Sequence, residues 1–103
     1  MGPNIQTKRQ EKILERATRI LKEYLKPARI ILFGSRGKGQ FHPGSDFDLA
    51  VDKERPGIRT ERKIREELEE VAGLYHVDIV YLPEVDGGFK NLIVKTGKVI
   101  YER

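Results

Sequence analysis

The chain has no cysteine, only one methionine and no long apolar run, and each of these absences excludes something. Without cysteine there is no disulfide framework. No stretch approaches the roughly 18 apolar residues that a membrane-spanning helix needs, and the N-terminus carries no signal-type pattern. A cytoplasmic, soluble protein with no membrane partner is therefore expected. There is also no internal repeat, no low-complexity tract and no linker long enough to separate domains, so residues 1–103 are read as one domain with a modest core and no room for a second catalytic unit. A charged fraction of 35% with few amides resembles the composition of thermophile proteins.

Positive charge is unevenly placed. The first 26 residues hold seven Lys or Arg against three Glu, so the first helix carries the whole excess of +4. A basic helix can bind nucleic acid through phosphates. Here, however, the positives alternate with Glu11, Glu15 and Glu23, and no aromatic residues interleave for base stacking, which suits a solvated or partner-binding face. Nucleic acid is not expected as the substrate.

The hydrophobic pattern alternates between helix and strand. Ile13, Leu14, Ala17, Ile20, Leu21, Tyr24 and Leu25 recur at helical spacing, which predicts a helix from about Thr7 to Lys26, stopped by Pro27. Arg29 to Phe33 reads as a buried strand. Asp46 to Asp52 follows as a second strand with Phe47, Leu49 and Val51 on one face and the acids on the other. A helix over about Thr60 to Ala72, with Gly73 placed to end it, precedes a strand from Val77 to Leu82. A short helix at Phe89 to Lys95 and a closing strand at Val99 to Tyr101 complete an α/β domain with a small mixed sheet flanked by helices.

The segment from Gly34 to Asp48 carries the chemistry. Gly34-Ser35 leaves the first strand at once, and a turn there offers free backbone N–H groups to phosphate oxygens. After ten intervening residues, Asp46 and Asp48 stand two apart, which puts both carboxylates on one strand face roughly 6.5 Å apart along the backbone. Mg²⁺ takes hard oxygen ligands and completes its shell with water and substrate phosphate beside one or two carboxylates. Asp78, the one acid in an otherwise apolar strand, would be costly to bury without a cation or donor. If its strand lies beside the Asp46 strand, three carboxylates converge. Taken singly, Pro43-Gly44-Ser45-Asp46 is an ordinary turn, and a Gly-Ser after a strand is common in plain loops. The order of strand, Gly-Ser, glycine-rich loop, acid pair, helix and one inward acid makes a nucleotide and metal site the better reading. His42 reads as a solvent-exposed loop residue and His76 as structural, at a strand start.

The run GSRGKG-QFHPG-SDFDLAV resembles the signature of the polymerase beta-like nucleotidyltransferase superfamily, and most of all that of the minimal nucleotidyltransferases, single-domain antitoxins encoded beside HEPN toxins. In that group a GSRARG is followed by five variable residues and SDIDLAV. Gly37 and Lys38 depart from the usual alanine and arginine, and glycines at 37 and 39 each lower helix propensity by about 1 kcal/mol relative to alanine. The resemblance implies a palm-type nucleotidyltransferase domain in which Gly34 and Ser35 bind the triphosphate of ATP. It further implies that Asp46, Asp48 and Asp78 are the catalytic and metal-holding acids for Mg²⁺, two ions in sites of this kind. Asp46 thereby also joins the nucleotide site. Arg36 is the better candidate than Lys38 for neutralising phosphate charge.

The same resemblance supplies an acceptor that this short chain lacks room to bind by itself, a tyrosine of a HEPN-type toxin, which would be adenylylated and silenced within a hetero-oligomer. Two other readings stand beside it. One is a catalytically weak or silent antitoxin that covers its toxin. The other is a transferase for a small molecule or tRNA.

Overall fold

The computed structural model describes residues 5–34 and 46–103. In chain order the elements are α1 (Ile5–Leu25), β1 (Arg29–Phe33), β2 (Phe47–Val51), α2 (Ile58–Ala72), β3 (Val77–Tyr81), a 3₁₀ turn (Leu82–Glu84), α3 (Gly87–Thr96) and β4 (Lys98–Glu102). The expected elements are all present, with no end displaced by more than two residues. Asp46 and Asp52 fall just outside β2, and Leu82 belongs to the turn rather than to β3. Among the described residues no helix is long and apolar enough to cross a membrane.

Helix α1 buries Ile13, Ala17, Ile20, Leu21 and Leu25, the stripe its periodicity predicts. It ends because Lys26 adopts a positive φ of 48°, closing the last turn through its N–H to the Lys22 carbonyl at 3.1 Å, and Pro27 cannot continue the helix. Helix α2 presents Ile64, Leu68 and Ala72 and stops at Gly73, whose φ is +62°. These two stripes pack on one face of the sheet, against Ile30, Leu32, Phe47, Leu49 and Val51.

The sheet order is β3-β2-β1-β4. Strand β1 pairs antiparallel with both β2 and β4, while β2 and β3 run parallel, joined by the crossover helix α2. The sheet is thus mixed, as the sequence implied. Its second face is narrower: Ile31, Ala50, Leu82 and Ile93 form a small buried cluster under α3. Asp86 caps α3 by accepting a hydrogen bond from the Phe89 N–H at 3.0 Å.

The return from α3 into β4 has no room for a side chain at Gly97. A Cβ there would stand 2.5 Å from Ile31 Cγ2, 2.6 Å from the Ile93 carbonyl oxygen and 3.1 Å from the Leu32 carbonyl oxygen. Replacing a loop glycine by alanine at a compatible φ would by itself stabilise by about 0.4–1 kcal/mol through the unfolded chain. Overpacking against two carbonyls outweighs that gain, so Gly97→Ala is expected to cost about 1–3 kcal/mol. Denaturant unfolding of the two proteins checks it, and a variant as stable as the parent would contradict it.

Candidate functional site

Three strands bring the candidate residues together on the α3 face. The register pairs Phe33 of β1 with Asp48 of β2, and Asp48 with Asp78 of β3. Phe33, Asp48 and Asp78 therefore form a row across the sheet, since residues opposite one another in adjacent strands share a face. Asp46 lies one residue before β2 on the same alternation, and is exposed. Adjacency of the Asp46–Asp48 segment and the Asp78 strand, which the sequence left conditional, is what the parallel β2–β3 pairing provides.

Asp48 is the inner member of the group. Its carboxyl is held above the usual aspartate range, first by partial burial, then by the charges of Asp78 and Asp46, with His76 acting in the opposite sense. An ionised carboxylate here is a charge that its surroundings do not fully compensate, a condition that a bound cation relieves.

Gly34 stands directly against it. The chain leaves β1 at Gly34 with φ +72°, a left-handed conformation that glycine adopts at no steric cost. A Cβ on Gly34 would collide with Oδ2 of Asp48 and approach its Cγ to 3.3 Å. Backbone and carboxylate are thus in contact with no side chain between them. A carboxylate beside bare backbone is a donor set that suits Mg²⁺, which takes one or two carboxylates together with water and phosphate oxygens. Ser35 and Arg36, like Lys38 and His42, lie outside the described residues.

Asp78 is exposed at the open edge of the sheet, and its Oδ1 is 2.8 Å from Nε2 of His76. His76, read from the sequence as structural at a strand start, is thus in contact with a candidate site acid. Its position two residues before Asp78 on an extended chain was the available signal, because that spacing puts both side chains on one side. Among the described residues, no three histidine or acidic side chains converge closely enough to form a metal-ligand cluster. The acids are adjacent but not gathered around one point.

An aromatic pair borders the row. Phe89 of α3 packs edge-on against Phe33, with ring centroids 6.0 Å apart and planes at 82°. No local pattern signals this contact, which depends on how α3 folds back over β1. A groove of about 170 Å³ lies between α2 and β3, with Leu68, Ala72, Val77, His76 and Asp78 among its lining residues.

Residues 15–103 match the family model described as polymerase beta, nucleotidyltransferase. Among solved structures, the chain is similar to one of a toxin–antitoxin with AMP-PNP, at 24% identity and a TM-score of 0.73 over 86% of this chain and 73% of that one. It is similar to a chain of the tri-AMPylated Shewanella oneidensis HEPN toxin in complex with MNT antitoxin, at 21% identity and a TM-score of 0.68, covering 92% and 73% of the two chains. A minimal nucleotidyltransferase matches at 22% identity and a TM-score of 0.69 over 92% of this chain and 94% of that one. No curated protein sequence matches significantly.

Proposed function

Since the chain belongs to the polymerase beta nucleotidyltransferase family, we propose that it is a Mg²⁺-dependent adenylyltransferase and antitoxin that transfers AMP from ATP to a tyrosine hydroxyl of a HEPN-type toxin partner. The observation that carries the reading is the bare contact between the Gly34 backbone and the Asp48 carboxylate, on the face where Asp78 stands beside Asp48. The assignment of partner and acceptor is supported by likeness of fold to toxin–antitoxin complexes, one holding AMP-PNP and one an AMPylated toxin.

In this reading the backbone at Gly34 and the Ser35 hydroxyl hold the β- and γ-phosphates, with Arg36 offsetting their charge. Asp46, Asp48 and Asp78 would hold Mg²⁺, two ions by family pattern, and when bound these supply charge stabilisation for the attacking and leaving oxygens. Asp78 accepts the proton of the acceptor hydroxyl. The hydroxyl oxygen then bonds to the α-phosphorus as the bond from that phosphorus to the β-phosphate bridge breaks, and pyrophosphate leaves. Beyond their charges, the residues act by placing nucleophile and phosphorus in line.

The retained acids favour transfer over mere covering of a toxin. A protein that only bound its partner would have no physical need for adjacent carboxylates, one of which carries a desolvation penalty, on an otherwise apolar sheet. The test is to incubate the purified chain, Mg²⁺ and ATP with the HEPN-type protein encoded beside it, and to read the intact mass of both. The partner is expected to gain one or more AMP units, and none with Asp46→Asn. A tight complex with unchanged masses would instead support neutralisation by binding, and turnover without any protein partner would support a small-molecule or tRNA acceptor.

A further inference from the structure

We infer that Phe89 is the platform on which the base of the bound nucleoside triphosphate stacks, with the Phe33 ring as its brace. The inference rests on the nucleotide site proposed above and adds a contact to it. In that reading the Gly34 turn and the acids engage phosphate and metal, and neither offers a flat apolar surface to a base.

Phe89 is the only exposed aromatic residue among the described residues, with 38% of its surface open. Exposure alone is ordinary for an apolar side chain; the place of this one is not. The row across the sheet runs Phe33, Asp48, Asp78. Asp78 takes the flank of Asp48 on the edge strand, where the acceptor enters in the proposed reaction. Phe33 takes the other flank, and the residue after it is Gly34, where the phosphate turn begins. Phe89 meets Phe33 edge to face, with centroids 6.0 Å apart and planes at 82°. In that geometry Phe33 covers at most one face of the Phe89 ring and leaves the other to a ligand.

The ring is also held at its root. The Phe89 N–H donates to Oδ1 of Asp86 at 3.0 Å, which fixes the first turn of α3. Gly87, which opens that turn, has no side chain, and nothing lies within 4 Å of where its Cβ would stand. A ring fixed in place, open on one face and one residue contact away from the phosphate turn suits stacking, because every base presents a π-face and a pre-placed ring loses little freedom on binding.

Calorimetric titration of the full chain in Mg²⁺, with AMP-PNP and with inorganic tripolyphosphate, separates a base contact from everything the phosphates do. Phe89→Ala is expected to bind AMP-PNP about five- to 150-fold more weakly than the parent, the scale of losing one base–aromatic stack, and to bind tripolyphosphate equally well. Phe89→Leu, which keeps an apolar side chain but no π-face, should lose most of the same affinity. Phe89→Trp should keep it, and its indole, the one tryptophan in the chain, should be quenched by AMP-PNP and not by tripolyphosphate. Unchanged AMP-PNP affinity in Phe89→Ala overturns the inference, and so does an equal loss for both ligands, which would make Phe89 a packing residue only. The two readings fail separately. AMP transfer by a protein whose AMP-PNP affinity ignores Phe89 removes the stacking contact alone, and AMP-PNP binding that depends on Phe89 without any transfer removes the transferase reading alone. A parent that binds neither ligand removes both.

Discussion

Asp48→Asn is expected to lower AMP transfer by about 10²–10³-fold or more, the scale of removing one preorganised charge stabiliser from a transition state. In the same variant the metal-free protein should unfold at equal or higher denaturant concentration. The substitution keeps the shape of the side chain and deletes its charge. In the native fold that charge is disfavoured by burial and by Asp78 and Asp46, so the carboxyl titrates above its ordinary value of 3.8. A group whose pKa rises on folding takes up protons when the chain folds. Its ionised form therefore opposes folding, by an amount that grows as pH rises through the window between 3.8 and the raised value and then stays constant. The stability gain of Asp48→Asn should accordingly be present at neutral pH and vanish in acid below that window. Denaturant unfolding at the two pH values, beside the mass assay, checks both halves. A variant that fails to fold at neutral pH would make Asp48 a structural acid.

Gly34→Ala is the second large effect expected, and it acts on the same atom from the other side. Alanine at φ +72° carries a left-handed strain of roughly 1–2 kcal/mol. The added methyl also collides with Oδ2 of Asp48, so either the turn or the carboxylate must shift. A displaced carboxylate is a displaced metal ligand, and misplacement of about 1 Å in such a site can cost on the order of 10²-fold in rate. The strain and the collision can be separated. In an Asp48→Ala background the colliding oxygen and Cγ are gone and only Cβ remains, at an ordinary 3.6 Å. Gly34→Ala should therefore destabilise Asp48→Ala by the strain alone, less than it destabilises the parent, with a coupling of about 0.5–3 kcal/mol. Equal costs in the two backgrounds would mean that Gly34 is needed for its backbone conformation only.

Much of the fold was legible because local signals and tertiary packing agree. The α1 stripe at Ile13, Ala17, Ile20 and Leu21, the stop at Pro27 and the alternation of Phe47, Leu49 and Val51 each follow from a period that burial then satisfies. The shared face of Asp46 and Asp48 was legible for the same reason, since an alternation that sends Phe47 and Leu49 inward must send both acids to the other face. Element ends were less so. Asp46 sits in the strand pattern yet outside β2, because pairing rather than periodicity decides where a ladder begins.

What the sequence hid depends on contacts between distant segments. The parallel pairing that sets Asp48 beside Asp78 requires the α2 crossover, and no local pattern specifies which strand β2 will neighbour. The packing of Phe89 on Phe33 depends on α3 crossing the second face, where the buried cluster is only Ile31, Ala50, Leu82 and Ile93. The contact of His76 with Asp78 was visible in spacing but not in meaning. A histidine two residues from an acid on a strand is ordinary until the acid is seen to belong to a site.

The most direct test of the site is a crystal structure of the protein with Mn²⁺ and AMP-PNP, in which anomalous scattering locates the metal. The account predicts Mn²⁺ on the carboxylates of Asp46 and Asp48, with the triphosphate laid against Gly34 and bridging to it. A nucleotide bound elsewhere, or Mn²⁺ away from Asp48, would contradict it.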